Sequence, residues 1–222
     1  MNGGQLPNGQ VHTSPMGAMI RVLGAVSLIC GLAIVTTQIT THARIQHNLE
    51  TLLRQSVENL LPGMQKQITY GIKPNGDIEI LPGLEGEGHR FFAGYDGSGN
   101  FLGIVVEARD RGYADVISSM YRFNPDTKQI TGFQVVEMRE TPGLGDKTRT
   151  DPDFLANFKQ LDASGAHPIV TVKHGAKRNP WEIDAISGAT VSSRAIGRAL
   201  DKSVAAVGPV IARNLDRIKR GQ

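Results

Sequence analysis

Cysteine is almost missing from this chain of 222 residues, where Cys30 stands alone. One thiol excludes an intramolecular disulfide and any cysteine-rich metal or iron–sulfur site built within the chain. Redox chemistry here would need another cofactor. Aromatic residues make up 5% of the sequence, and the basic residues exceed the acidic ones only slightly, 24 against 21. That leaves neither stacking platforms nor a strong phosphate-seeking field, which argues against nucleic acid as a partner. The six histidines show no ligand-like pairing of the His-Glu-x-x-His kind, so no protein-bound metal is expected. Also missing is a Gly-x-Gly-x-x-Gly turn after a strand, so nicotinamide oxidation would have to occur elsewhere.

What is present first is one long apolar run. Residues 22–41 carry no charge, and about 20 residues of helix cross the hydrocarbon core of a lipid bilayer. A signal peptide would also place an apolar run after Arg21, but no small-x-small cleavage site follows it. A transmembrane helix over 17–41 is expected, preceded by a disordered tail over 1–16 that is rich in Gly, Asn, Gln and Pro. Arg21 before the run, against Arg44 and Arg54 after it, leaves its orientation open on charge.

Beyond the run, Ile45, Leu49, Leu52, Leu53, Val57 and Leu60 recur at helical spacing until Pro62-Gly63, predicting a stalk helix over 42–63. Apolar and alternating segments at 67–72, 77–81, 90–95 and 101–108 read as strands, separated by turns such as Asp96-Gly97-Ser98-Gly99-Asn100. A further hairpin pairs 116–123 with 130–138 through Asn124-Pro125-Asp126-Thr127. Asp151 and Pro152 fit the N-cap and first position of a helix over 154–161, with a strand at 168–172 after it. Ile196, Leu200, Val204, Val207, Ile211, Leu215 and Ile218 form one stripe, predicting a long helix laid on the sheet. Pro209 should kink or divide that helix. Hairpins followed by helices predict an α+β fold: a single transmembrane helix, then a mainly antiparallel-sheet domain over 64–222 packed with helices.

Two short segments carry the chemistry. Asp184-Ala185-Ile186-Ser187-Gly188-Ala189-Thr190 puts hydroxyls beside two tiny residues just before the striped helix. Small residues let a bulky group approach the backbone, and the helix start favours an anion such as phosphate. Ser187 and Thr190 also fit plain helix caps. Upstream, Glu140-Thr141-Pro142-Gly143-Leu144-Gly145-Asp146 follows a predicted strand, and its proline and glycines force a defined loop. It reads either as an ordinary turn or as the wall of a site for a flat ligand. It lacks the lysine and hydroxyl of a P-loop.

The first segment resembles the signature Asp-x-x-Ser/Thr-Gly-Ala-Thr, by which a flavin transferase recognises its target. The second resembles the loop upstream of it in the same two families. These are the G subunit of the Rnf ion-translocating ferredoxin:NAD oxidoreductase and the C subunit of the sodium-pumping NADH:quinone oxidoreductase. The resemblance implies an FMN-binding domain with covalent FMN on Thr190 through a phosphoester. Asp184, Ser187, Gly188 and Ala189 complete that signature. Glu140, Thr141, Pro142, Gly143, Leu144 and Gly145 would shape the flavin pocket, with Thr141 and Leu144 against the ring. Gly112-Tyr113 matches a Gly-Tyr of these domains, although Ala114 replaces a glycine that often follows; Tyr113 is then either a ring contact or a half-buried core residue.

The implied protein is a single-pass electron carrier of the cytoplasmic (inner) membrane, with a cytoplasmic tail and its flavin domain on the outer, periplasmic face. Its partners would be the other subunits of an oxidoreductase complex and, during maturation, a flavin transferase. No residue is assigned a catalytic role, and no complete activity is expected of the chain alone. The Rnf type is favoured because little sequence separates the apolar run from the flavin domain. A membrane-anchored flavin sensor and a non-redox assembly module are the other classes.

Overall fold

The computed structural model describes residues 16–73, 75–83 and 89–222. The tail expected over 1–16 lies outside the described residues, apart from Met16. The described chain opens with helix α1, Met16–Leu60, and divides into two compact units between Leu49 and Glu50. In the first unit, Met16–His42 is long and apolar enough to cross a membrane, with a mean hydropathy of 2.3 and none of its window buried. Its threonines bond back to their own helix: Thr37 Oγ1 donates to Ala33 O at 2.8 Å, and Thr41 Oγ1 to Thr37 O at 2.7 Å. Such bonds satisfy hydroxyls that no water would reach in a bilayer core.

The second unit, Glu50–Gln222, is built on a seven-stranded sheet. Its strands are β1 Lys66–Ile72, β2 Ile78–Leu81, β3 Arg90–Tyr95, β4 Phe101–Arg111, β5 Val116–Asn124, β6 Gln129–Glu137 and β7 Leu161–Asp162. They run in the order β2-β1-β3-β4-β5-β6-β7, and every pair is antiparallel. The hairpin between β5 and β6 turns where Asn124 Oδ1 accepts from the N–H groups of Asp126 and Thr127.

Strand alternation gives the sheet two apolar faces, and both are covered. Phe91, Ala93, Ile104, Val106 and Tyr121 join a core completed by helix α3, Thr190–Lys219, whose residues Ile196, Leu200, Val204, Val207, Ile211 and Ile218 are buried there. Phe92, Val105 and Met120 point the other way and are equally buried. On their side three glycines, Gly94, Gly103 and Gly132, leave room for Leu60 and Leu61. A Cβ on Gly103 would lie 2.9 Å from Leu61 Cδ2, and one on Gly132 would lie 3.1 Å from Leu60 Cδ2. Leu53, Val57, Leu60 and Leu61 are therefore core residues of this unit, which takes in the last turns of α1.

Three local expectations need correction. Asp151 caps helix α2 through a 2.9 Å bond from Phe154 N, with Pro152 first, but α2 spans only Pro152–Ala156. A 3-10 turn, Asn157–Lys159, replaces the rest, and Leu161 pairs with Ile130 in β7. Asn157 causes the change: its Nδ2 donates to Phe154 O at 2.9 Å while its Oδ1 accepts from Asp184 N and Lys177 Nζ, both at 3.0 Å. The strand near 170 is β8, Val170–Val172, which pairs in parallel with β9, Glu182–Asp184, in a sheet of its own. Pro209 does not divide α3. It and Ala205, whose carbonyl loses its partner, lie on the exposed face, where water can solvate that oxygen.

Candidate functional site

Helix α3 begins at Thr190 without a cap. Its N-cap residue Ala189 offers no side-chain bond, and Thr190 and Ser187 do not supply one. Ser193 N is the first amide of the helix start with an acceptor, Ala189 O at 2.9 Å. Among the described residues, the N–H groups of Thr190, Val191 and Ser192 and the hydroxyl of Thr190 meet no protein partner. Gly188 turns the chain into this start with φ 82°, a left-handed conformation that a β-carbon would strain. A Cβ there would also touch Leu144 Cδ2 at 3.6 Å.

Around that start lies a cavity of about 440 Å³, lined by Tyr113, Glu140, Thr141, Leu144, Gly145 and residues 188–192. Three elements meet there: the β4–β5 connection, the loop after β6, and the first turn of α3. Tyr113, Leu144 and Val191 leave 71%, 48% and 50% of their surfaces exposed around it. Tyr113 is thus at the cavity rather than in the core.

Glu140 joins the three elements. Its Oε1 accepts from Tyr113 N at 2.9 Å and Ala114 N at 3.2 Å, and its Oε2 accepts from the Ser192 hydroxyl at 2.7 Å. Gly112 and Gly145 make room for this carboxylate: a Cβ on Gly112 would collide with Glu140 Oε1, and one on Gly145 would lie 2.8 Å from Oε2. Ala114 has no positive φ, so its N–H reaches Glu140 without the freedom of a glycine.

The cavity does not gather every residue of the two motifs. Asp184 and Ser187 line a separate polar cavity of about 310 Å³ with Lys147, Asp151, Asp153 and His174. There both Asp184 carboxylate oxygens accept from Gly175 N, at 2.7 and 3.0 Å. Nearby, burial holds the Lys177 ammonium below its ordinary pKa, against the attraction of Asp184 and Glu182. Pro142 and Gly143 are exposed on the loop, Gly143 with φ 77°, and line neither cavity. Val191 and Ser192 also line the cavity at the helix start and were not expected from the two motifs, and of the two it is Ser192 that has a polar partner. Its signal was a buried hydroxyl position two residues into an amphipathic helix, which only the partner Glu140 makes meaningful.

A group with a phosphate at one end and a flat ring at the other fits this cavity. Unpaired amides and a free hydroxyl stand at the helix start, a glycine keeps the approach open, and apolar side chains form the rim. Residues 112–205 match the family model of the FMN-binding domain. The chain is 36% identical to the G subunit of the ion-translocating oxidoreductase complex of Methanosarcina acetivorans, over 63% of this chain and 73% of that protein. It is 27% identical to the G subunit of the Na(+)-translocating ferredoxin:NAD(+) oxidoreductase complex of Acetobacterium woodii, over 85% of this chain and 88% of that one. Its fold is that of the crystal structure of NqrC from Shewanella oneidensis, with a TM-score of 0.58 at 22% identity, covering 80% of this chain and 99% of that one. By these likenesses, the chain belongs to the family of G subunits of the ion-translocating oxidoreductase complexes, the Rnf type.

Proposed function

We propose that this chain is the electron-carrying subunit of a membrane-bound ion-translocating oxidoreductase, holding FMN by a phosphoester on the Thr190 hydroxyl. Its relatives are named for complexes that translocate ions, one of them a ferredoxin:NAD(+) oxidoreductase. For this chain the corresponding process is electron flow between ferredoxin and NAD, coupled to proton or sodium transport, with neighbouring subunits as donor and acceptor. The observation that carries the reading is the free Thr190 hydroxyl at an uncapped helix start, opening on a cavity with an apolar rim.

FMN supplies one-electron and two-electron redox chemistry when bound. The chain's own groups do the holding. The first-turn amides and dipole of α3 receive the phosphate charge, and Gly188 keeps the backbone clear of it. Thr141, Leu144, Tyr113 and Val191 shield the ring from water, while Glu140 fixes the walls that carry them. Asp184, Ser187 and Ala189 give a flavin transferase the rest of its recognition sequence during maturation. A tether fixes the cofactor relative to the neighbouring centres and prevents its loss. The apolar helix anchors the chain in the bilayer as a single pass, with the flavin domain on the outer face of the cytoplasmic membrane.

Mass spectrometry of the tryptic peptide 179–194, from protein made together with its flavin transferase, tests the tether. The peptide is expected to carry the mass of an FMN ester, and T190V to lose it along with in-gel flavin fluorescence. An unmodified wild-type peptide, or covalent flavin retained in T190V, would sink the assignment.

A further inference from the structure

We infer that the Glu140 carboxylate is a fixed, uncompensated negative charge in the wall of the flavin cavity, and that it sets the reduction potential of the flavin held there. The inference rests on the proposed attachment of FMN to Thr190.

Glu107 and Glu140 are each held by several donors, and they differ in what the donors are. Glu107 is met by guanidinium groups on two sides, Arg90 Nε at 2.9 Å and Arg109, so its charge is cancelled where it stands. Glu140 is met only by neutral donors: the N–H groups of Tyr113 and Ala114, and the Ser192 hydroxyl. No lysine, arginine or histidine pairs with it among the described residues. The donor set suits an anion without neutralising it.

Its place makes that charge effective. Glu140 lines the same cavity as Thr190, with the backbone of Gly112 and Gly145 close against its carboxylate and three hydrogen bonds holding it there. Ser192, from which it accepts a bond, sits two residues along α3 from Thr190 and is 2% exposed. A negative charge fixed in the wall of the cavity opposes the arrival of an electron on a group held there. The carboxylate therefore makes the flavin harder to reduce and readier to pass its electron on. Glu140 acts through charge and position; it takes no part in bond making.

The test uses the full chain, produced with its flavin transferase and purified in detergent, and reads the midpoint potential of the bound flavin by spectroelectrochemical titration. E140Q keeps the shape and the acceptor oxygen but removes the charge. It is expected to favour reduction about tenfold, which is about 59 mV upward for a one-electron step. S192A keeps the charge but removes one donor that spreads it, and is expected to move the potential the other way, by about two- to threefold in the same constant. Opposite signs are the signature, because mere loosening of the site would move both variants alike. Either variant shifting in the reverse direction, or not at all while carrying flavin, overturns the proposal. If E140Q does not fold, S192A decides alone by the same criterion. A wild-type chain carrying no flavin at Thr190 overturns the attachment, and this inference with it; flavin-loaded variants at the wild-type potential overturn this inference only.

Discussion

A methyl group added at Gly145 would lie 2.7 Å from Glu140 Cβ and 2.9 Å from Ser192 Oγ, whereas one added at Gly143 would meet nothing within 4 Å. The two glycines of one loop thus have different reasons to be glycine. G145A forces Glu140 and Ser192 apart, an overpacking cost of about 1–3 kcal/mol. G143A meets only the strain of φ 77°, about 1–2 kcal/mol. Urea denaturation should show both losses, but the absorption spectrum of bound flavin should change in G145A alone. Equal spectra for the two variants would mean that Gly145 does not hold the cavity wall. At this scale, the small residues ahead of the apolar stripe marked where a helix begins, and α3 does begin at Thr190, just after the left-handed Gly188. The splitting of the heptapeptide was not readable. Ser187 and Asp184 sit only three and six residues before Thr190, yet they line a different cavity, on the other side of the left-handed turn at Gly188. Ser192 was hidden for a related reason: its partner is 52 positions away along the chain.

Between elements, Asp110 near the end of β4 fastens α3 to the sheet. Its Oδ2 accepts from Arg198 Nε at 3.0 Å and Lys202 Nζ at 3.1 Å. Burial raises the Asp110 pKa, but hydrogen bonds from Arg111 N, Lys202 and Arg198 outweigh it and hold the carboxyl below its ordinary range. A carboxyl depressed in the folded state stabilises the fold above its unfolded pKa, about 3.9, and loses that contribution as pH falls through the lower folded value. D110N should therefore lower the urea midpoint at pH 7, and the gap to wild type should close as pH drops below about 4. A gap independent of pH would show that packing, not charge, explains the variant. Most elements were legible because their patterns survive in the sequence: β3 and the start of β4 are short continuous apolar runs, buried on both faces, and the α3 stripe is continuous. Helix α2 was overextended because the residue that ends it, Asn157, bonds to Asp184 and Lys177, far along the chain. The parallel β8–β9 pair was equally hidden, since three-residue strands carry too little pattern to announce a partner.

The periodicity of 45–60 announced a helix but not what its apolar face would meet. Gly94, Gly103 and Gly132 lie on three different strands, and only the sheet register, which pairs Gly94 with Gly103, brings these two side by side as a seat for Leu61. A flavin domain beginning at 64 would lose Leu53, Val57, Leu60 and Leu61, and would expose Phe92, Val105 and Met120 to water. Burying four such side chains contributes roughly 6–12 kcal/mol before conformational costs. That is the size of a whole domain's net stability, about 5–15 kcal/mol. Two truncations separate the boundaries. A chain of residues 50–222 should unfold cooperatively on heating and elute as a single soluble species. A chain of 64–222 should scatter light, bind a hydrophobic dye and lack a cooperative transition. If the shorter chain melted at the temperature of the longer one, the glycine seat would be mere surface, and the last turns of α1 would be a stalk rather than one of the layers that hold the flavin-binding sheet.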